Sequence, residues 1–134
     1  MRNKSVIISS VLMVVLIVAV AFNAYYINRV STELLDMLFA LPSEYGHITS
    51  LEEAELEGFK SDINIIAVTW EKNSPRICAV TRYSDFERVN SAVYGLREYF
   101  FSGNYSQYLT ERRKLITALE KQKNNEMPNF ENIF

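Results

Sequence analysis

The chain has 134 residues, 49% of them hydrophobic and 22% charged, with a formal net charge of −2, which is room for one domain of ordinary size and not two. Eight Phe, eight Tyr and abundant Leu, Ile and Val exclude a disordered chain, and four Gly with three Pro exclude collagen-like and low-complexity classes. One Cys and one His exclude a disulfide scaffold and a zinc site built on Cys/His pairs.

The apolar residues crowd toward the start. Lys4 and Arg29 bracket 24 residues without a charge, and from Val6 to Phe22 only Ser9 and Ser10 are polar. Carried on to Ile27, this run is about 22 residues, which at 1.5 Å each covers a hydrocarbon core of about 30 Å. Val6, Leu12, Leu16, Val20 and Phe22 are the lipid-facing residues of such an anchor. Tyr25 and Tyr26 stand where an interfacial aromatic pair stands, with an apolar body and a wet hydroxyl. Arg2 and Lys4 precede the run, so the positive-inside rule puts the N-terminus in the cytoplasm. With those two set aside, 12 basic residues face 16 acidic ones in the remainder. The competing reading is a cleaved signal peptide, with Ala19-Val20-Ala21 as a small-x-small site. Against cleavage, the apolar run outlasts an ordinary signal core and helical spacing continues through Val30, Leu34, Leu35, Leu38 and Leu41. The expectation is a single-pass anchor over 1–28 in the cell membrane, followed by an extracytoplasmic helical domain over 29–134 with a short C-terminal tail. Between Val6 and Ile27 there is no charge and, apart from Asn23, no amide, so the span has nothing from which to build an ion path.

Pro42 ends the first helix near Leu41, and a loop over Ser43 to Thr49 follows. Ser50 with Glu53 fits a capping box, and Glu52, Glu53 and Glu55 suit the positive end of a helix dipole. That second helix carries Leu56, Phe59, Ile63, Ile66 and Trp70 at spacings of three and four, a seam that faces a partner. Ser74-Pro75 predicts a new start, Ser as N-cap and Pro at the first position where no N–H is needed. A third helix then runs from Pro75 to about Phe101, with Phe86, Val89, Val93, Leu96 and Phe100 inward. Ser84 with Glu87 marks a break near Tyr83 as the alternative. Gly103 closes this helix, Asn104 caps the next, and Tyr105, Tyr108, Leu109, Arg112, Leu115, Ile116 and Leu119 share one face of a fourth. Short connections require antiparallel neighbours. The fold expected is all-α, a transmembrane helix extending into a small antiparallel bundle of three to four helices.

Tyr26-Ile27-Asn28 at the end of the apolar run, Trp70-Glu71-Lys72-Asn73, and the ending Asn129-Phe130-Glu131-Asn132-Ile133-Phe134 together resemble domain-of-unknown-function family 4363, over nearly the whole chain. The resemblance implies a small membrane-anchored helical protein of Gram-positive, spore-forming bacteria, and no established chemistry. Arg82-Tyr83-Ser84-Asp85-Phe86-Glu87 departs from the acidic, His-containing stretch of that family.

Few residues invite chemistry. Glu52, Glu53, Glu55 and Glu57 lie beside His47, but helical spacing spreads them over two faces, which suits a solvated helix start better than a metal site. His47 has no nucleophile near it in sequence. Cys78, between Ile77 and Ala79, reads as a small buried group, with an intermolecular disulfide as the alternative. Arg112-Arg113-Lys114 is too small a basic cluster to mark nucleic-acid binding. The aromatic run over the third turn is the best candidate for a partner surface, at Tyr99, Phe101, Tyr105 and Tyr108. No catalytic, cofactor-binding or metal-binding residues are assigned, and no small-molecule substrate is evident. The expected role is a non-enzymatic interaction or scaffold module on the bilayer, with another envelope protein or a second copy as partner. The alternatives are a secreted helical protein, or an envelope enzyme built on Asp and Glu carboxylates.

Overall fold

A computed structural model describes residues 2–125. The C-terminal tail, with Pro128 and the ending Asn129 to Phe134, lies outside the described residues. Among the described residues every regular element is a helix: α1 (Arg2–Phe39), α2 (Tyr45–Thr49), α3 (Glu53–Val80), α4 (Tyr83–Phe101) and α5 (Tyr105–Asn125). Between Arg2 and Phe39 there is neither Gly nor Pro, so nothing in α1 interrupts the backbone ladder. Just beyond it Leu41 is buried and Pro42 ends the run.

The four long helices pack in a ring, α1 against α3, α3 against α4, α4 against α5, and α5 back against α1. Side-chain bonds show each adjacent pair to be antiparallel. Along α1 and α5, Gln122 reaches Ser31, Arg112 reaches the Leu38 carbonyl and Tyr108 reaches the Pro42 carbonyl. Along α3 and α4, Lys60 lies over the Phe101 ring and Trp70 bonds to Asn90; along α1 and α3, Tyr26 bonds to Asn73 and the Phe22 ring meets Arg76; along α4 and α5, Asp85 meets Lys121 and Phe100 meets Tyr105. The domain therefore has a near end, at Tyr26 and the α3–α4 turn, and a far end, at Pro42 and the α4–α5 turn.

The sequence seams form the core. Ile63, Ile66 and Trp70 of α3, Val89, Val93, Leu96 and Phe100 of α4, and Tyr108, Leu115 and Leu119 of α5 are buried against Ile27, Val30, Leu34 and Leu38 of α1. Leu56, Phe59 and Phe86 pack on it from the edge. Trp70 is enclosed, its ring stacked on Phe86 at 5.5 Å between centroids and its indole N–H donated to Asn90 Oδ1 at 2.9 Å. A buried Trp needs such an acceptor, and the asparagine provides it.

Two expected boundaries move. The capping box at Ser50 does not form: α3 begins at Glu53 after Glu52, without a side-chain cap. Ser50 instead ends α2, a single turn inside the expected loop, where its Oγ donates to the His47 carbonyl at 2.7 Å. Nor does Ser74-Pro75 start a helix. Pro75 lies inside α3, where it removes the N–H that would serve the Glu71 carbonyl four residues back. The Ser74 hydroxyl fills that vacancy by donating to the Glu71 carbonyl at 3.2 Å. Ile77 then falls two turns beyond Trp70 on the same buried stripe, so packing favours continuation. The actual break is Thr81-Arg82, both extended, after the β-branched pair Val80-Thr81, which is poor helix material. Asp85 suits the first turn of α4 by its charge, and no side chain caps that turn. At the other end of α4, Gly103 takes φ +80, the left-handed conformation that favours glycine. Asn104 Oδ1 then accepts the Gln107 N–H at 3.4 Å to open α5.

Continuity of α3 has a measurable consequence. Pro75→Ala restores one helical hydrogen bond and relieves the ring clash, so thermal unfolding of the full chain in detergent should shift to higher temperature, by about 1–2 kcal/mol of stability. A helix that started at Pro75 would show no gain or a loss.

Candidate functional site

Three surfaces stand out once the core is accounted for. The first is the start of α1. It is the one helix among those described that is long and apolar enough to cross a membrane, and none of its most apolar stretch is buried by the rest of the protein. Val6, Leu12, Leu16, Val20 and Phe22 are each 58–65% exposed. Monomeric soluble proteins do not leave so continuous an apolar surface open to water, whereas a helix in lipid satisfies its backbone internally and needs no polar side chains. Packing on the helical domain begins at Ala24 and Ile27, inside the segment expected to be anchor alone. The tyrosine pair divides accordingly. Tyr25 is 67% exposed, while Tyr26 joins the core edge, donates its hydroxyl to Asn73 Oδ1 and carries the Arg76 guanidinium 3.9 Å above its ring.

The second surface is the far end. Phe101 is 42% exposed with the Lys60 ammonium 5.8 Å from its ring centre. Tyr99 and Tyr105 are half-buried against the core. Tyr108, expected with them at the surface, is wholly buried. Its ring meets Phe100 edge-on at 4.9 Å, and its hydroxyl donates to the Pro42 carbonyl at 2.9 Å. The reason is register: Tyr108 shares a helical stripe with Leu115 and Leu119, which face inward. Burial pushes its phenol well above the ordinary range, against a smaller opposing pull from Arg112. Tyr45 of α2, not singled out in sequence, is exposed at this same end. The same end carries the exposed carboxylates of Glu44, Glu52, Glu53, Glu55 and Glu57, of which Glu57 pairs with Lys60 at 3.3 Å.

The third is an open groove of about 730 Å³ between α4 and α5. Small residues make its floor, Ala92, Gly95 and Ala118, and charged ones its rim. Gly95 matters here because a Cβ would lie 3.0 Å from the Glu111 side chain, so glycine lets that carboxylate fold across α4. Glu111 pairs with Lys114 at 3.6 Å, and Asp85 with Lys121 at 3.3 Å. Tyr94, which also lines the groove, donates to Glu71 Oε1 of α3 at 3.1 Å, and partial desolvation followed by that carboxylate raises its phenol. Spacing alone could have hinted at the groove through Ala92 and Gly95, but only the packing of α5 opposite them forms it.

The remaining candidates separate. Cys78, expected to be buried, is exposed, because Ile77 takes the inward position on that turn. His47 is exposed on α2. Arg112 turns inward and donates to the Leu38 carbonyl at 3.2 Å, which separates it from the exposed Arg113 and Lys114. Among the described residues no three His, Cys, Asp or Glu side chains converge as a metal ion would require.

In comparison with known proteins, no family model matches the chain, and neither does any curated protein or solved structure. The resemblance to the domain-of-unknown-function family thus stands on the quoted residues alone.

Tyr108 gives this region a pH signature. A phenol whose folded pKa lies above the unfolded value of 10.0 keeps its contribution at lower pH and loses it as the unfolded form ionises. Tyr108→Phe should cost about 1–3 kcal/mol at neutral pH by leaving the Pro42 carbonyl unpaired. The deficit should narrow above pH 10, followed by circular dichroism on the detergent-solubilised chain.

Proposed function

We propose that this chain is a single-pass membrane protein whose antiparallel helical bundle works as a non-enzymatic interaction or scaffold module. Its N-terminus lies in the cytoplasm and its bundle outside. One observation carries the reading: the apolar half of α1 projects bare from the helical domain, with none of its most apolar stretch buried. Water disfavours that surface strongly, and a bilayer does not. The segment Ala19-Val20-Ala21 lies in mid-helix, which argues against its use as a cleavage site. Arg2 and Lys4 before the span support the orientation.

The far end supports the interaction role. It stands away from the anchor and offers the exposed rings of Phe101 and Tyr45 together with exposed glutamates, and protein interfaces combine aromatic residues with a polar rim. Another envelope protein or a second copy is the partner proposed. Asp85 and Glu111, two of the three carboxylates that line the α4–α5 groove, sit in ion pairs with lysine, which favours a structural over an acid–base role for them.

Two measurements test this. After alkaline carbonate washing the intact chain should stay with the membrane pellet; a mature chain beginning after Ala21 in the soluble fraction would reverse the anchoring. A photo-reactive amino acid in place of Phe101 should cross-link to a discrete partner or a second copy in membranes. The same group in place of the exposed Glu33, on α1 between the two ends, serves as the comparison, and equal, diffuse labelling from both positions would remove the far end as a binding surface.

A further inference from the structure

We infer that the α3–α4 corner is a second membrane contact, in which Arg76 and Arg82 take lipid phosphates while Val80 and Tyr83 enter the headgroup layer of the bilayer that α1 crosses. This inference rests on the anchoring of α1 and names what the near end of the domain touches.

The first support is depth. Tyr26 bonds to Asn73, and the Arg76 guanidinium lies 3.9 Å from the Tyr26 ring centre and 5.0 Å from that of Phe22. These two rings belong to the last turns of the charge-free run that ends before Arg29. Because α3 descends antiparallel to α1 and continues seven residues past Asn73 to Val80, its end reaches roughly 10 Å further toward the apolar span, at 1.5 Å per residue. Val80 therefore stands level with about Ala19, and a hydrocarbon core of about 30 Å takes about 20 residues of the charge-free run 5–28, so the corner reaches at least the depth of the outer headgroup layer and does not stand above it.

Surface chemistry is the second support. Tyr83 is 71% exposed, Val80 38%, and Tyr25 on the adjoining turn of α1 67%. Tyrosine and a short aliphatic residue beside arginine is the composition that membrane interfaces select, an apolar body below and a polar or charged tip above. Among the described residues neither Arg76 nor Arg82 has a carboxylate partner. Stacking on Tyr26 uses the face of the Arg76 guanidinium and leaves its N–H edge free, the edge that forks onto phosphate oxygens.

Charge polarity is the third. From residue 72 to 88 stand Lys72, Arg76, Arg82 and Arg88 against Asp85 and Glu87, and Asp85 is already taken by Lys121. From 44 to 57, at the far end, stand Glu44, Glu52, Glu53, Glu55 and Glu57 with no Lys or Arg among them. A domain of negative net charge thus turns its basic end to the bilayer and its acidic end away, which anionic lipid favours at both ends. The consequence is orientation: with α1 crossing and the corner seated, the bundle cannot tip about its anchor.

Cys78, the only cysteine and exposed two residues before Val80, is a ready probe. The full chain carrying a nitroxide on Cys78 is placed in lipid nanodiscs of phosphatidylcholine, with or without phosphatidylglycerol. Relaxation by oxygen reports lipid around the label, and relaxation by a water-soluble nickel chelate reports solvent. Expected is a Cys78 label shielded from nickel, more so with phosphatidylglycerol, while a label at Ser50→Cys in a Cys78→Ser background stays in water. Arg76→Gln with Arg82→Gln, both exposed and Arg76 touching the core edge only through the Tyr26 ring, should lower occupancy of the shielded state roughly fivefold for each guanidinium removed. A chain that stays in the discs with its Cys78 label fully in water overturns the corner contact and leaves the anchor standing. Shielding indifferent both to phosphatidylglycerol and to the double substitution also overturns it. A chain that leaves the discs altogether overturns the anchor and, with it, the corner.

Discussion

On the anchoring reading, one helix has to satisfy two surroundings without a joint. α1 runs 38 residues with no Gly or Pro, bare and apolar for its first half and buried on one face from Ala24 onward. A linker would let the domain move freely over its anchor, whereas a continuous hydrogen-bonded helix transmits direction across the change of environment. The point of change is held by Tyr26, which gives its hydroxyl to Asn73 and its ring face to Arg76. Everything else in the arrangement, from the level of the α3–α4 turn to the height of the far end, follows from that junction.

The interior is apolar by area but tied by polar bonds that differ from one helix pair to the next. Trp70 to Asn90 joins α3 to α4, Gln122 to Ser31 joins α5 to α1, and Arg112 and Tyr108 fasten α5 to the carbonyls at the end of α1. Hydrophobic seams of Leu and Ile tolerate sliding by a turn, because one aliphatic layer resembles the next. A buried donor displaced from its acceptor is left unpaired at a cost of about 1–3 kcal/mol, so each of these bonds selects one register. Such an interior suits a rigid platform, and in the proposed role the platform, not a reacting group, is what the protein supplies.

The two ends of that platform differ in chemistry. Arginines and exposed Tyr83 gather where α3 turns into α4, while glutamates and exposed Phe101 and Tyr45 gather where α2 meets α3 and α4 turns into α5. On the anchoring reading this polarity places cations against lipid headgroups and an acidic, aromatic surface outward toward a partner. The α4–α5 groove lies between the ends and carries paired charges along its rim.

Much of this was legible from spacing. The bare apolar run, the inward stripes of α3, α4 and α5, and the Gly103-Asn104 turn follow from local rules: transfer of apolar side chains out of water, a period of 3.6, and the freedom of glycine at positive φ. Ser74-Pro75 could not be read this way, because a local rule makes Pro a starter, while the burial of Ile77 two turns past Trp70 and the Ser74 bond to the Glu71 carbonyl make it an interior residue. Tyr108 and Cys78 exchanged their expected places for a related reason, since which of several neighbouring residues faces inward depends on the rotation of the whole helix against its partners. Periodicity says that a face is buried. Only the packing of four helices against one another decides which side chains end at its edge, which meet across it, and which, like Arg76 and Tyr83, are left facing outward at the level where the chain enters its apolar span.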